Sequence, residues 1–164
     1  MRSPNITHTH PLGVEGAVLQ ACAIALLLHQ TPYTLARDTF LATLRAYVQS
    51  TMYRDRLEQV TGLLAGASSH EVVAQLGHGV AAYEAVPAAV YAFLRHPASF
   101  SDALRLAIGL GGDTDTIASM VGALSGAYLG EEAIPKGWRA KIEEAQRLRN
   151  VADALLFLST MERP

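Results

Sequence analysis

Apolar residues recur at helical spacing along almost all of this 164-residue chain, and no run of strand length alternates between apolar and polar residues. Leu57, Val60 and Leu64, for example, would lie on one side of a helix. Glycines and prolines interrupt the helical segments, and we find no internal repeat and no low-complexity linker. The pattern predicts one all-α domain over residues 1–164, built as a bundle of orthogonal and antiparallel helices.

Local signals divide the chain into predicted helices. Three capping patterns mark helix starts: Thr31-Pro32, Ser68-x-x-Glu71 and Ser99-x-x-Asp102. Pro87 lies inside an apolar pattern, where it predicts either a kink or a helix start. The predicted helices span residues 14–29, 33–48, 55–65, 71–76 and 151–161, and a further helix follows Asp113.

The composition argues against several classes of protein. Half of the residues are apolar and 17% are charged, as in a globular rather than a disordered chain. The net charge of −2 gives no electrostatic reason to expect nucleic acid or an anionic membrane as a partner. The lone Cys22 cannot form an internal disulfide, and we expect a core thiol in a reducing compartment.

No secretory signal is visible at the polar N-terminus, and the longest apolar run, Ala17 to Leu28, is interrupted by Gln20. This run is shorter than the about 20 residues that cross a bilayer. We therefore expect an intracellular protein without a membrane partner. The cytoplasm is the default compartment, with the nucleus and the mitochondrion as alternatives.

Two carboxylates one residue apart follow a pair of glycines in the segment Leu110–Thr116. Asp113, Asp115 and Thr116 offer hard oxygen donors, which suit Mg²⁺, Mn²⁺ or Ca²⁺. The glycine pair permits a sharp turn before a buried helix, with Asp113 as its predicted N-cap. Acids at a helix N-terminus also cap the helix and complement its dipole, so the pattern alone is compatible with a structural role.

Small residues recur at every fourth position of that helix, at Ala118, Gly122, Gly126 and Gly130. Glycine inside a helix costs about 1 kcal/mol relative to alanine, so its repetition suggests a packing reason. We expect this stripe to let a second helix approach closely.

The segment Gly111–Ala118, continued by Gly122-Ala123 and Gly126–Tyr128, resembles the C-terminal motif of the ADP-ribosylglycohydrolases. The resemblance implies a metal-dependent hydrolase that cleaves the glycosidic bond between ADP-ribose and its acceptor. Proteins that carry ADP-ribose, or ADP-ribose polymers, would be its partners.

The same resemblance assigns site residues. In the family, two aspartates and the following threonine bind a pair of divalent ions, usually Mg²⁺. Carried over, these ligands are Asp113, Asp115 and Thr116. Gly112 is implied as a substrate-binding residue, and no catalytic residue is assigned.

Two other segments extend the resemblance. Thr7-His8, just before a Gly-Ala-rich helix, is similar to a segment in which the histidine contacts the diphosphate-ribose portion of the substrate; His10 has no such match. The segment Gly77–Tyr91 resembles the branch that cleaves serine-linked ADP-ribose and poly(ADP-ribose). In that branch the apolar residue after Gly-x-Gly lies against the ligand, which implies this role for Val80.

The resemblance covers only the C-terminal half or so of the family fold. The complete fold has further metal ligands nearer its N-terminus, an acidic residue and a Thr-Asp-Asp motif, whereas this chain contains no adjacent aspartates. We therefore expect the isolated chain to be inactive. A non-catalytic helical module that binds ADP-ribose or protein is one alternative. A haloacid-dehalogenase-type phosphatase is another, although no parallel strand is expected before its acidic motif.

Overall fold

The computed structural model describes residues 9–161, and the regular structure within this range is entirely helical, as predicted. The α-helices in it are α1 (Pro11–Leu27), α2 (Arg37–Tyr47), α3 (Thr51–Leu63), α4 (Ser69–Leu76), α5 (Ala82–Arg95), α6 (Phe100–Gly109), α7 (Thr114–Leu129), α8 (Lys136–Arg139) and α9 (Ala145–Met161). A 3₁₀ turn follows α7 at Glu131–Ala133. The element before the glycine turn and the acidic motif is the helix α6. The motif therefore lacks the preceding strand of a dehalogenase-type phosphatase.

Helix α5 is the centre of the core. Every residue from Ala85 to Leu94 is buried, so this helix is apolar around its whole circumference. Helices α1, α3, α4, α6 and α7 all pack against it. Phe93 makes edge-to-face contacts with Phe40 and Tyr128, whose ring centroids lie 6.3 and 5.8 Å away. The helix begins at Ala82, so the prediction of a helix start at Pro87 is wrong.

Helix α7 packs against α1, α5 and α6 through a different face from the one that the small residues suggested. Its buried side chains are Ile117, Val121, Leu124, Ser125 and Tyr128. A Cβ on Gly126 would meet no atom within 4 Å, and one on Gly122 would meet only the Phe100 ring, at 4.0 Å. The expectation of a closely approaching helix along the glycine stripe is therefore wrong for the described residues.

Two of the three predicted capping signals are confirmed. The Ser68 and Glu71 side chains form a complete capping box at α4, and the Ser99 hydroxyl accepts the Asp102 N–H at the start of α6. Their success reflects local chemistry, because each side chain satisfies a free N–H in the first turn.

The third signal, Thr31-Pro32, is wrong. Thr31 instead closes a turn, because its carbonyl accepts the N–H of Thr34 at 3.3 Å. The next residue, Leu35, donates its N–H to the Tyr128 hydroxyl at 2.9 Å, and α2 begins only at Arg37. A long-range contact to α7 thus replaces the helical bond that the local sequence favoured.

Other boundaries lie earlier than predicted. Helix α1 begins at Pro11 with His10 as its N-cap, and α3 begins at Thr51 after a Ser50 cap. Helix α9 begins at Ala145, six residues before the predicted start. Proline at the first position of α1 needs no N–H partner, which explains why the helix includes it.

The described residues fall into two compact units that divide after Ala133. The first contains α1 to α7 and the acidic motif, and the second contains α8 and α9. A single domain over residues 1–164 stays a prediction. Within residues 9–161, no helix combines the length and apolar character needed to cross a membrane.

We expect Gly16→Ala to destabilise the fold. Gly16 is buried in α1 against the end of the Tyr53 side chain, and a Cβ there would overlap the Tyr53 hydroxyl and lie 3.0 Å from the Ala82 Cβ. Burial raises the pKa of Tyr53, so this hydroxyl stays protonated and donates to the Leu12 carbonyl at 2.9 Å. Overpacking of this kind costs about 1–3 kcal/mol, which urea unfolding would measure.

Gly62→Ala in α3 is the matched control. A Cβ there would meet no atom within 4 Å, so the substitution should gain up to about 1 kcal/mol from helix propensity. Equal stability of the Gly16→Ala variant and the parent would contradict the close packing of Gly16 against Tyr53.

Candidate functional site

The turn between α6 and α7 carries the acidic motif. Gly111 and Gly112 both have left-handed backbones, with φ of 77° and 70°. L-residues with a side chain rarely adopt such angles, so glycine is required at both positions. A Cβ on Gly112 would also overlap the carbonyl oxygen of His78. Position 112 therefore fits its surroundings only without a side chain, whereas position 111 requires glycine for its backbone angle alone.

The loop between α4 and α5 holds this turn through His78. The His78 carbonyl oxygen accepts the N–H of Asp113 at 2.8 Å. The ring Nδ1 of His78 lies 2.8 Å from the carbonyl oxygen of Leu110. Because a carbonyl can only accept, Nδ1 carries the hydrogen and donates it. One residue thus bonds to both ends of the four-residue turn.

Glu84, in the first turn of α5, fixes the same loop from the other side. Its Oε2 accepts the N–H of Gly79 at 2.8 Å. A Cβ on Gly77, whose φ is 75°, would lie 2.5 Å from that oxygen. The loop therefore wraps closely around a half-buried carboxylate, which has the hydrogen-bond partner that burial demands.

Asp113 occupies the predicted N-cap position of α7, but its side chain makes no capping hydrogen bond. Hydrogen bonding with the Asp113 side chain, and then with the backbone N–H groups of Thr116 and Asp115, lowers the pKa of Asp115 below its usual value. The two carboxyl groups are therefore close together, and Asp115 is ionised at neutral pH. The structural alternative, in which the Asp113 side chain caps the helix, does not occur here.

The donor set at this turn consists of oxygen atoms alone. Two neighbouring carboxyl groups and the half-buried Thr116 fit a hard divalent cation, which offsets the repulsion between the acids. Within residues 9–161, no group of three or more His, Cys, Asp or Glu side chains could hold a metal ion. Asp113, Asp115 and Thr116 would therefore fill only part of a coordination shell, and their role as ligands stays a prediction.

A cavity of about 450 Å³ lies beside the turn, among α1, the start of α5 and the first two turns of α7. Val80 and Thr116 both line it, so the structure brings the predicted substrate-binding residue close to a predicted metal ligand. Val80 is 85% exposed, which leaves its apolar side chain available to a ligand. Its role in binding, like that of Gly112, stays a prediction.

Gln20 of α1 lines the same cavity and was missed by the sequence analysis as a site residue. Its Nε2 donates to the Met120 carbonyl oxygen of α7 at 3.1 Å, whereas its buried Oε1 has no partner among the described atoms. His78 was missed as well, although its place between two glycines was a usable signal. His8 lies outside the described residues, and His10 caps α1 by accepting the Leu12 N–H at 3.3 Å.

A larger cavity, of about 640 Å³, lies between α1 and the residues that precede α3. Its one acid, Glu15, accepts the backbone N–H groups of Gln49 and Ser50. Both bonds are to Oε1 of Glu15, which thus holds the backbone before α3, and no second acid of the described residues lines this cavity; we therefore place the candidate site at the acidic turn.

Comparison with known proteins agrees with this choice. The sequence profile of the ADP-ribosylglycohydrolase family matches residues 1–164. The chain is 37% identical to mouse ADP-ribosylhydrolase ARH3 over 183 aligned residues, which cover 93% of the chain and 49% of the relative. Human ADP-ribosylhydrolase ARH3 is 34% identical to the chain, and the alignment covers 93% of the chain and 50% of the relative. An ADP-ribosylarginine hydrolase of Serratia proteamaculans is 38% identical over 64 residues, 39% of the chain and 18% of the relative.

The chain thus spans about half the length of the ARH3 relatives that it matches. The match over residues 1–164 includes the glycine turn, the acid pair and the loop that holds them. This chain belongs to the ADP-ribosylglycohydrolase family.

Proposed function

We propose that the protein hydrolyses the glycosidic bond between ADP-ribose and its acceptor, and that this chain supplies part of the metal-binding site. One observation carries the proposal: the Asp113 carboxyl group makes no capping bond and lies within hydrogen-bonding reach of Asp115. Membership of the family supports it, and the relatives that cover most of the chain are named ADP-ribosylhydrolases. Because the chain spans about half of their length, the reaction is proposed for the whole protein.

In this proposal Asp113, Asp115 and Thr116 hold divalent cations, with two Mg²⁺ ions in the complete fold. Bound there, the metal would orient the ribose hydroxyls and polarise the leaving group or an attacking water. Mg²⁺ takes about six oxygen ligands in a near-octahedral arrangement, so three side chains fill only part of the shells of two ions. The rest of the donors must come from other residues of the whole protein or from water.

The acceptor we propose is a protein serine or another ADP-ribose unit, each joined through oxygen. The resemblance of the segment Gly77–Tyr91 to the branch that cleaves such bonds supports this choice. In the proposal, Val80 gives the ligand an apolar contact beside Thr116, the exposed Gly112 presents its backbone to the ligand, and His8 contacts the diphosphate. The exposure of Val80 on the cavity supports its part.

A non-catalytic module that binds ADP-ribose or a protein is the second candidate. The observation that favours it is the small donor set, since the described part of the chain brings no third His, Cys, Asp or Glu to the acid pair. The two candidates differ in turnover: the enzyme would release ADP-ribose when paired with the N-terminal half of a complete relative, whereas the module would only bind it.

We expect Asp115→Asn to reduce Mn²⁺ or Mg²⁺ affinity by more than about tenfold, because it removes one of two ligand charges while keeping the shape. The melting temperature without metal should change little, because Asp115 is exposed and the amide oxygen of asparagine can still accept the backbone N–H groups of the helix start. Calorimetry with Mn²⁺ and thermal unfolding in a chelator would measure the two effects.

Asp102→Asn is the matched control, because Asp102 also lies in the first turn of a helix and bonds to the Ser99 hydroxyl and Arg105. It should lower stability and leave metal affinity unchanged. If Asp115→Asn instead unfolds the metal-free protein, Asp115 is a structural residue of α7.

We expect His8→Ala, in the whole protein, to weaken ADP-ribose binding more than it affects folding. A lost contact to the diphosphate would appear as a lower affinity in calorimetry, whereas the melting temperature should change little. His10→Ala is the control, since the His10 ring caps α1 and should matter for stability instead. An ADP-ribose affinity equal to that of the parent would remove His8 from the site.

We expect the 164-residue chain alone not to release ADP-ribose from an ADP-ribosylated serine peptide in the presence of Mg²⁺. Its donor set is partial, and a bridged pair of ions needs more anionic ligands to offset four positive charges. Co-expression with the N-terminal half of a complete relative should restore release. Turnover by the isolated chain at the rate of a complete relative would contradict the expectation, and binding without turnover in the paired protein would favour the non-catalytic module.

A further inference from the structure

We infer that His78 is a positioning residue that sets the backbone of the acidic turn and thereby the place of Asp113. The inference rests on the proposed function, because the effect expected of His78 is on metal affinity at the proposed site. It adds a residue whose hydrogen bonds are to the backbone of the turn, through which it acts on the ligands.

The turn needs an external constraint. Gly111 and Gly112 are the two residues at its centre, and glycine has more backbone conformations available than any other residue. A turn built on two glycines would therefore move unless something holds its ends. Both ends, Leu110 and Asp113, are bonded to His78.

The two bonds satisfy helix-terminal groups that would otherwise lack protein partners. Leu110 is the C-cap of α6, and its carbonyl oxygen receives the hydrogen of His78 Nδ1. Asp113 is the N-cap of α7, and its N–H donates to the His78 carbonyl oxygen. One residue thus connects the end of one helix to the start of the next, across the glycine pair.

His78 is itself held in place. Gly79 donates its N–H to the carboxylate of Glu84, which belongs to the first turn of α5. The residues of α5 that follow, from Ala85 to Leu94, are all buried, so the anchor is part of the core. A series of contacts therefore leads from the core through Glu84 and His78 to Asp113.

The ring is needed for the position of its Nδ1 atom. Asparagine carries an N–H donor at the same distance from its Cα as Nδ1 of histidine, whereas the donor of glutamine is one carbon farther out. Leucine has similar volume and no donor. Comparing His78→Asn, His78→Gln and His78→Leu therefore separates the hydrogen bond from simple packing.

The test uses the 164-residue chain with Mn²⁺ alone as the probe. We expect His78→Leu to lower Mn²⁺ affinity about 10–100-fold, as loss of a residue that orients metal ligands usually does. It should also speed hydrogen exchange at the Asp113 amide, measured by NMR. His78→Asn should restore most of both properties, and His78→Gln should not. His29→Leu, at an exposed histidine, should change neither.

Two results would overturn the inference: exchange at the Asp113 amide in His78→Leu as slow as in the parent, or rescue by glutamine equal to rescue by asparagine. If His78→Leu does not fold, the asparagine and glutamine variants still decide the matter. If the parent chain alone binds no Mn²⁺, the affinities are measured in the chain co-expressed with the N-terminal half of a complete relative, and absence of binding there would contradict the proposed metal site. The exchange rates of the three variants decide in either case whether His78 holds the turn.

Discussion

The candidate site depends on one hydrogen bond, from the N–H of Asp113 to the carbonyl oxygen of His78, 2.8 Å long. It joins the loop before α5 to the turn before α7, and these two segments carry the predicted ligands and Val80. The bond can form only because Gly112 has no side chain, since a Cβ would overlap that carbonyl oxygen. The glycine is therefore required for close approach between two backbones as much as for its left-handed φ.

The loop that makes this hydrogen bond leads directly into α5, whose residues from Ala85 to Leu94 are all buried. A loop is usually the most mobile part of a domain. Here the loop wraps around Glu84, one residue before the stretch of α5 that has no exposed position. Only a short length of chain therefore separates the site from the packed core. Functional groups on loops can be placed accurately when the next helix is fixed in this way.

Much of the fold could be predicted from the sequence, because helical periodicity and local caps are properties of short segments. The capping box of Ser68 and Glu71 and the cap of Ser99 needed no knowledge of distant residues. Thr31-Pro32 looked equally good, but the bond from Leu35 to Tyr128 joins residues 93 positions apart and overrides it. The glycine stripe of α7 misled for a related reason: small residues permit close approach without specifying a partner.

The candidate site was predictable as a set of residue types and not as an arrangement. Asp113, Asp115 and Thr116 were recognisable from their order, and the pairing of Val80 with Thr116 across one cavity follows only from the packing of α5 on α7. The glycines on either side of His78 mark a loop in the sequence but do not reveal the role of the residue, because its hydrogen bonds are to backbone atoms of a distant segment. A residue that positions others through carbonyl and amide groups is visible only once the chain is folded.

The acid pair also suggests why both ends of this turn are hydrogen-bonded to His78. Two carboxyl groups attract each other only while they share a proton and repel each other once both are ionised, so a flexible glycine turn would let them separate. The N-terminus of α7 offsets part of that repulsion, because its free N–H groups and dipole favour negative charge, and the lowered pKa of Asp115 reflects those N–H contacts together with that to Asp113. The Asp113 carboxyl group makes no capping hydrogen bond, so at least one of the two neighbouring acids is not used to stabilise the start of α7. Stability alone poorly explains two acidic groups that are held close together while one of them makes no capping bond, and such a pair is the donor set that the proposed cation would need.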